Sequence, residues 1–192
     1  MRKKAFLSFT IMFLFLMVWL LLVIVLLELP VNRPETEWAT ITNTQYNFTV
    51  DYPTKWVART YGEHGFKGAR TVKLRIYRSL LGYFEIAVYR QSATEPTLQD
   101  VITWGDARIS NLNRNLVSRG EATYEKFPVS YDTINGYEVG RRIYKRDGVT
   151  NEDVYIARSK DMIIIRLQSE EEDFEKYVED FEQIVQSFRP ME

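Results

Sequence analysis

The sequence predicts an α+β protein: an N-terminal transmembrane helix followed by an antiparallel β-sheet domain with helices packed on both faces. Three observations predict it. Phe6 to Leu27 is one uninterrupted apolar run, and from Trp38 onward apolar residues recur with period two. Ile163, Ile164 and Ile165 stand in succession within Met162–Leu167, so that strand is apolar on both faces and belongs at the centre of a sheet covered twice.

The apolar run holds no charge, proline or glycine, and 17 of its 22 residues are Phe, Leu, Ile or Val. As a helix it reaches roughly 33 Å, enough for a hydrocarbon core of about 30 Å. Even at ~0.3 kcal/mol per residue, those seventeen favour the bilayer by about 5 kcal/mol. A signal peptide has a shorter core, about 7–15 residues, and a small-x-small cleavage site. The exit here reads Leu27-Glu28-Leu29-Pro30 and the chain has no cysteine to lipidate, so an uncleaved anchor is expected. Arg2, Lys3 and Lys4 at its start keep the N-terminus cytoplasmic and send the body across. The expected organisation is a stub at 1–5, the anchor at 6–27, an extended linker with Pro30 and Pro34 at 28–37, and an extracytoplasmic domain at 38–192. The protein is thus expected to be single-pass in the cell membrane. With no ionisable residue in the span, the helix reads as a tether and not as an ion or proton path.

Of the 25 basic and 26 acidic residues, Arg2, Lys3, Lys4 and Glu28 precede position 30, which leaves the body 22 against 25, a net charge of −3. A mildly acidic exported domain is a poor nucleic-acid binder. The absence of cysteine excludes disulfides and thiolate metal sites. About 160 residues suit one domain that buries ~70% of its unfolded surface.

Trp38–Thr42 and Tyr46–Asp51 read as a strand pair around Asn43-Thr44-Gln45, and Val57–Tyr61 as a continuation beyond a turn that drops Trp56 into the core. Gly62 to Arg70 (GEHGFKGAR) lacks the spacing of a phosphate cradle and runs into a strand, so it reads as a surface loop. His64, the sole histidine, lies there without metal-ligating companions. Thr71–Ser79 and Phe84–Gln91 form a hairpin with an apolar tip. Residues 54–90 carry eight basic residues and two acids, the most positive part of the body. Two readings stay open for this region. It is either a solvated sheet face with pairs such as Arg75 or Lys73 to Glu85, or a patch of Lys73, Arg75, Arg78, Leu80, Leu81 and Tyr83 that meets lipid headgroups or an acidic partner.

Thr97, with Asp100 at the third helical position, starts a helix over Leu98–Leu116, whose stripe is Leu98, Val101, Ile102, Ile109, Leu112 and Leu116. Asp100 and Asp106 are six apart and are not a catalytic pair. Glu121–Phe127, Tyr137–Arg146, Val149–Arg158 and Met162–Gln168 read as strands. Pro128 and Asn135-Gly136 lie in the first connection, Asp147-Gly148 in the second and Ser159-Lys160-Asp161 in the third. Arg142, Arg158 and Arg166 fall on neighbouring strands in a register the pattern alone leaves open. Ser169, with Glu172 completing a capping box, starts a second helix with the stripe Phe174, Tyr177, Val178, Phe181, Ile184, Val185 and Phe188, stopped by Pro190.

The segment Tyr46-Asn-Phe-Thr-Val-Asp-Tyr-Pro-Thr-Lys-Trp56, the long helix after two hairpin strands, and the close through Met162–Leu167 to Phe181-Glu-Gln-Ile-Val-Gln-Ser-Phe188 resemble the PsbP-like family over about residues 44–190. The resemblance implies an antiparallel sheet between helices, an α/β/α sandwich. It points to company that includes extrinsic accessory subunits of photosystem II and bacterial exported proteins. It brings no metal or chloride motif and no cofactor, and the membrane helix is a departure from it. No nucleophile–base arrangement or Gly-x-Ser-x-Gly motif is present, so no enzyme is expected. The expected function is a non-enzymatic accessory domain that supports a membrane complex or an exported partner. The alternative is an extracytoplasmic small-ligand or sensing domain, which the four cytoplasmic residues give no output.

Overall fold

The structure is a computed structural model that describes residues 17–19, 37–44, 46–61, 71–77, 83–90, 94–159 and 161–191; of 59–61, 71–77, 89 and 90 it describes the backbone only. The chain divides into two units, Met1–Arg33 and Pro34–Glu192. In the first, Met17, Val18 and Trp19 are helical and exposed. The rest of the expected transmembrane segment lies outside the described residues, and among the described residues no helix is long and apolar enough to cross a membrane.

The second unit is built from eleven described strands and two helices. In chain order these are β1 (Trp38–Asn43), β2 (Phe48–Pro53), β3 (Val57–Tyr61), β4 (Thr71–Tyr77), β5 (Tyr83–Arg90), α1 (Leu98–Val117), β6 (Glu125–Lys126), β7 (Ser130–Ile134), β8 (Tyr137–Arg146), β9 (Val149–Arg158), β10 (Asp161–Glu170), α2 (Glu171–Ser187) and β11 (Arg189–Pro190). The main sheet runs β3-β4-β5-β10-β9-β8-β6, with β7 also paired to β8; a small sheet runs β1-β2-β11. Every pairing is antiparallel. The strand apolar on both faces, β10, is central, and Met162 to Leu167 are all buried.

Alternation along β10 separates two cores. Ile163, Ile165 and Leu167 face a large cluster with Phe84, Ile86, Val154, Phe48 and Val50, closed by Phe174, Phe181, Ile184 and Val185 of α2. Met162 and Ile164 face a smaller cluster with Ala87, Tyr155, Val101 and Ile102, closed by α1. Trp56 is buried, as its apolar setting predicts, against Phe84 at 4.3 Å and Tyr177 at 5.4 Å between ring centroids.

Several boundaries depart from the sequence pattern. Tyr46 lies in the β1–β2 turn, where its amide donates to Asn43 Oδ1 (3.0 Å), and Asn47 takes a positive φ of 49°. Between Glu121 and Phe127 only Glu125–Lys126 is strand, and the expected loop after Pro128 contains β7. The reason is the Asn135-Gly136 turn: with φ of 49° and 84° it forms a tight two-residue hairpin that folds Ser130–Ile134 onto β8. Ser169 does not cap α2. It stands opposite Thr150 in the β9–β10 ladder and is fully buried, while Glu170 is the N-cap and makes no side-chain cap bond. The ladder outcompetes the cap, and the Glu171 amide instead donates to the Gly148 carbonyl (2.7 Å). The box at Thr97 and Asp100 does form: the Asp100 amide donates to Thr97 Oγ1 (3.2 Å), and the Thr97 amide to Asp100 Oδ2 (2.8 Å).

Gly105, absent from the expected stripe, is what lets α1 lie on the sheet. A Cβ there would stand 2.6 Å from Tyr155 Cε1, on a ring that is fully buried. Helix propensity alone makes Gly105→Ala favourable by about 1 kcal/mol. Overpacking reverses the sign, so we expect the variant to lose about 1–3 kcal/mol. Thermal unfolding followed by circular dichroism tests this, and a raised Tm would contradict the close approach.

Candidate functional site

Two tight turns decide which side chains meet at the middle of the sheet. Counting back from Asp147-Gly148 sets Arg142 opposite Asp153, and counting from the Arg158–Asp161 pair sets Arg166 opposite the same Asp153. Arg166 also stands opposite Glu85 of β5, Glu85 opposite Arg75 of β4, and Arg75 opposite Arg59 of β3. A row of charged positions thus crosses six strands at one level.

Its centre is buried. Arg166 donates from Nε to Asp153 Oδ1 (2.5 Å) and from Nη2 to Oδ2 (2.7 Å), a two-pronged pair in which both side chains are almost wholly inaccessible. Tyr144 and Tyr155 make long hydroxyl contacts to the same carboxylate, at 3.4 and 3.5 Å. Arg108 of α1 approaches it to 4.0 Å, and the Arg166 guanidinium lies 5.8 Å from the Tyr144 ring centroid. Arg142 turns to α1, donating to Asp106 Oδ2 (2.9 Å) and to the Phe127 carbonyl (2.8 Å). Asp106, one of the two aspartates set aside as a catalytic pair, is therefore a tether between helix and sheet.

The titration behaviour follows from this geometry. Burial lowers the Arg166 pKa more than any single neighbour raises it, but the Asp153 charge and hydrogen bonds, with Tyr144 and Glu85 nearby, together outweigh burial and hold the guanidinium well above its usual value. Burial pushes the phenols of Tyr144 and Tyr155 up, out of reach of neutral pH. Both Asp153 oxygens are engaged by the Arg166 guanidinium, and the two phenols beside them stay protonated at neutral pH.

On the opposite face Arg141 donates to both carboxylate oxygens of Glu182 of α2 (2.5 and 2.8 Å) and to Glu152 Oε1 (3.1 Å), tying helix to sheet. Burial raises the Glu152 pKa, opposed by the Arg141 charge. Arg158, the third arginine of the neighbouring strands, lies away from the row. It donates to Asp161 Oδ2 (2.7 Å) and to the carbonyls of Tyr46 (2.7 Å) and Asn47 (2.6 Å), holding the β1–β2 turn against the β9–β10 hairpin.

Of the expected basic and apolar patch, Arg78, Leu80 and Leu81 lie outside the described residues. So does the Gly62–Arg70 loop with His64. Lys73 and Arg75 are placed by backbone register, Lys73 opposite Ala87 and Arg75 opposite Glu85. Tyr83 is half-buried, and its hydroxyl donates to Gln168 Oε1 (2.9 Å) on β10. The structure brings Arg75 into the charged row by register and Tyr83 to the neighbouring strand. Asp153 was missed by motif reading, although two-residue hairpins on either side of β9 carried its pairing. Among the described residues no group of three His, Cys, Asp or Glu could hold a metal ion.

No family model matches the chain, and no curated protein matches it. Solved structures do. The solution structure of cyanobacterial PsbP (CyanoP) from Synechocystis sp. PCC 6803 aligns with a TM-score of 0.62 at 14% identity, over 83% of this chain and 96% of that one. A protein from Bacteroides thetaiotaomicron aligns at 0.48 with 10% identity, over 80% of this chain and 48% of that one. A protein of unknown function from Pseudomonas aeruginosa aligns at 0.44 with 13% identity, over 81% and 99%. The first of these shows the fold: it is PsbP-like, an α+β arrangement of antiparallel sheets and helices.

Removing one partner of a buried pair strands the other charge, so Asp153→Asn is expected to cost about 3–5 kcal/mol. Asp153→Leu combined with Arg166→Met removes both charges and should cost far less than the sum of the single changes. Equilibrium urea unfolding of the wild type, Asp153→Leu, Arg166→Met and the double variant measures this coupling, and simple additivity would contradict it.

Proposed function

We propose that this chain is a membrane-tethered, extracytoplasmic interaction domain that supports a membrane complex or an exported partner without catalysing a reaction. The observation that carries this reading is the 22-residue run Phe6–Leu27, free of charge and flanked by Arg2, Lys3 and Lys4, ahead of a PsbP-like domain. Ten linker residues, two of them proline, reach at most ~33 Å, so the domain works close to the bilayer surface. The chemistry of the domain supports a binding role, because the buried Asp153–Arg166 charges are spent on one another and Arg141 is spent on the partly exposed Glu182.

Contact with the membrane or an acidic partner is assigned, within this proposal, to Lys73, Arg75, Arg78, Leu80, Leu81 and Tyr83. Arg75 stands opposite Glu85 of β5 in the backbone register.

Solubilisation in mild detergent followed by native-size separation tests both parts. The intact chain is expected to co-migrate with a larger assembly, and the reversal Arg75→Glu with Arg78→Glu to weaken that association. Migration as a lone monomer, together with stabilisation by a small molecule in a thermal-shift screen, would replace the accessory role with ligand binding.

A further inference from the structure

Between the first turns of α1 and the β7–β8 hairpin lies a groove of about 450 Å³, with Leu98 and Ile102 on the helix side and Tyr131, Asp132, Thr133 and Glu138 on the strand side. The two chain segments that wall it, residues 94–104 and 127–139, contain Glu95, Asp100, Asp132 and Glu138 but no lysine, arginine or histidine. These acids are not equally committed. Asp100 is consumed by the Thr97 capping box, and Asp132 lies 3.6 Å from Arg141. Glu138 is exposed, and among the described residues it has no hydrogen-bond or ion-pair partner. Beside it Tyr131 is 66% exposed, a large aromatic at the rim standing opposite Gly140.

We propose that this groove receives a lysine or arginine side chain of an extended partner segment. The aliphatic stem lies along Leu98 and Ile102, the cationic head pairs with Glu138, and the Tyr131 face contacts the same head. The proposal stands apart from the anchor and from the basic patch, and its charge complementarity selects the occupant. Two other occupants fit less well. A partner strand added to β7 needs the outward amides of Tyr131 and Thr133, because the two-residue Asn135-Gly136 turn directs Asp132 and Ile134 toward β8. The Thr133 amide already donates to Asp132 Oδ1 (2.7 Å), which blunts that edge. A second copy paired antiparallel about Asp132 would set two aspartates face to face.

The test is amide-resolved NMR of the full ¹⁵N-labelled chain in neutral detergent, titrated with the peptide acetyl-Leu-Lys-Leu-Lys-amide and, separately, with acetyl-Leu-Glu-Leu-Glu-amide. The lysine peptide is expected to give saturable shifts at Gln99, Thr133 and Glu138. Glu138→Gln should weaken its affinity by about fivefold, the upper range for an exposed ion pair. Tyr131→Ala should also weaken it, while both variants keep the wild-type Tm because both side chains are exposed. The proposal is overturned by equal shifts from the glutamate peptide, by shifts confined to the exposed acids of α2, or by no saturable shift at millimolar peptide. Concentration-dependent shifts at these amides without peptide would assign the groove to a second copy and equally overturn it.

Discussion

The pairing of Arg166 with Asp153 constrains nearly everything around it. It lies on the central strand, with β9 and β5 on its flanks, so a register change at β10 propagates in both directions. In an apolar strand slippage costs only repacking; with a buried guanidinium in the row, slippage leaves a cation without its carboxylate. Such a pair adds little net stability compared with well-packed hydrocarbon, because desolvation offsets most of the attraction. Its value here is in discrimination. A run of three isoleucines has no preferred partner, and Arg166 supplies one.

That constraint explains the unequal attachment of the two helices. α2 rests on a broad apolar stripe buried against the large cluster, with Arg141–Glu182 at its margin. α1 meets a smaller apolar area and depends on shape and polar ties: the missing side chain at Gly105, the Tyr155 ring beneath it, and the Arg142–Asp106 bond beside it. Tyr155 serves both tasks, since its ring supports the helix and its hydroxyl faces the central carboxylate. The α1 face is therefore sensitive to fine geometry, while the α2 face is sensitive mainly to hydrocarbon volume.

Elements whose signals are local were legible from the residues. β8 and β9 carry sharp turn dipeptides at their joint and fall at their expected limits. β10 declared its central position by lacking a polar face, and α1 its start by a complete capping box. Elements whose place is set by a partner strand and not by their own composition were not. Ser169 has every local property of a cap and is claimed by the ladder with Thr150. β7 is mostly exposed, so burial left little trace in its composition, and a hairpin turn alone marked it. The chemistry divides the same way. Arginines on adjacent strands were visible, but their shared partner needed turn lengths read as register. The basic patch was a statement about charge density, and the backbone adds to it one cross-strand neighbour, Glu85 beside Arg75.

The smallest element has the widest reach. β11 is only Arg189–Pro190, yet it pairs with Thr49 and Phe48 of β2, and the Met191 amide donates to the Asn47 carbonyl (2.8 Å). The small sheet thus joins parts of the sequence about 140 positions apart, a closure that carries a large loop entropy and forms slowly compared with any hairpin. While the chain is being synthesised, β1 and β2 have no third strand until residue 190 has emerged, and Phe48 waits without Phe188, its ring neighbour at 5.5 Å. The pairing that completes the small sheet therefore waits on residues made about 140 positions after the strand they join.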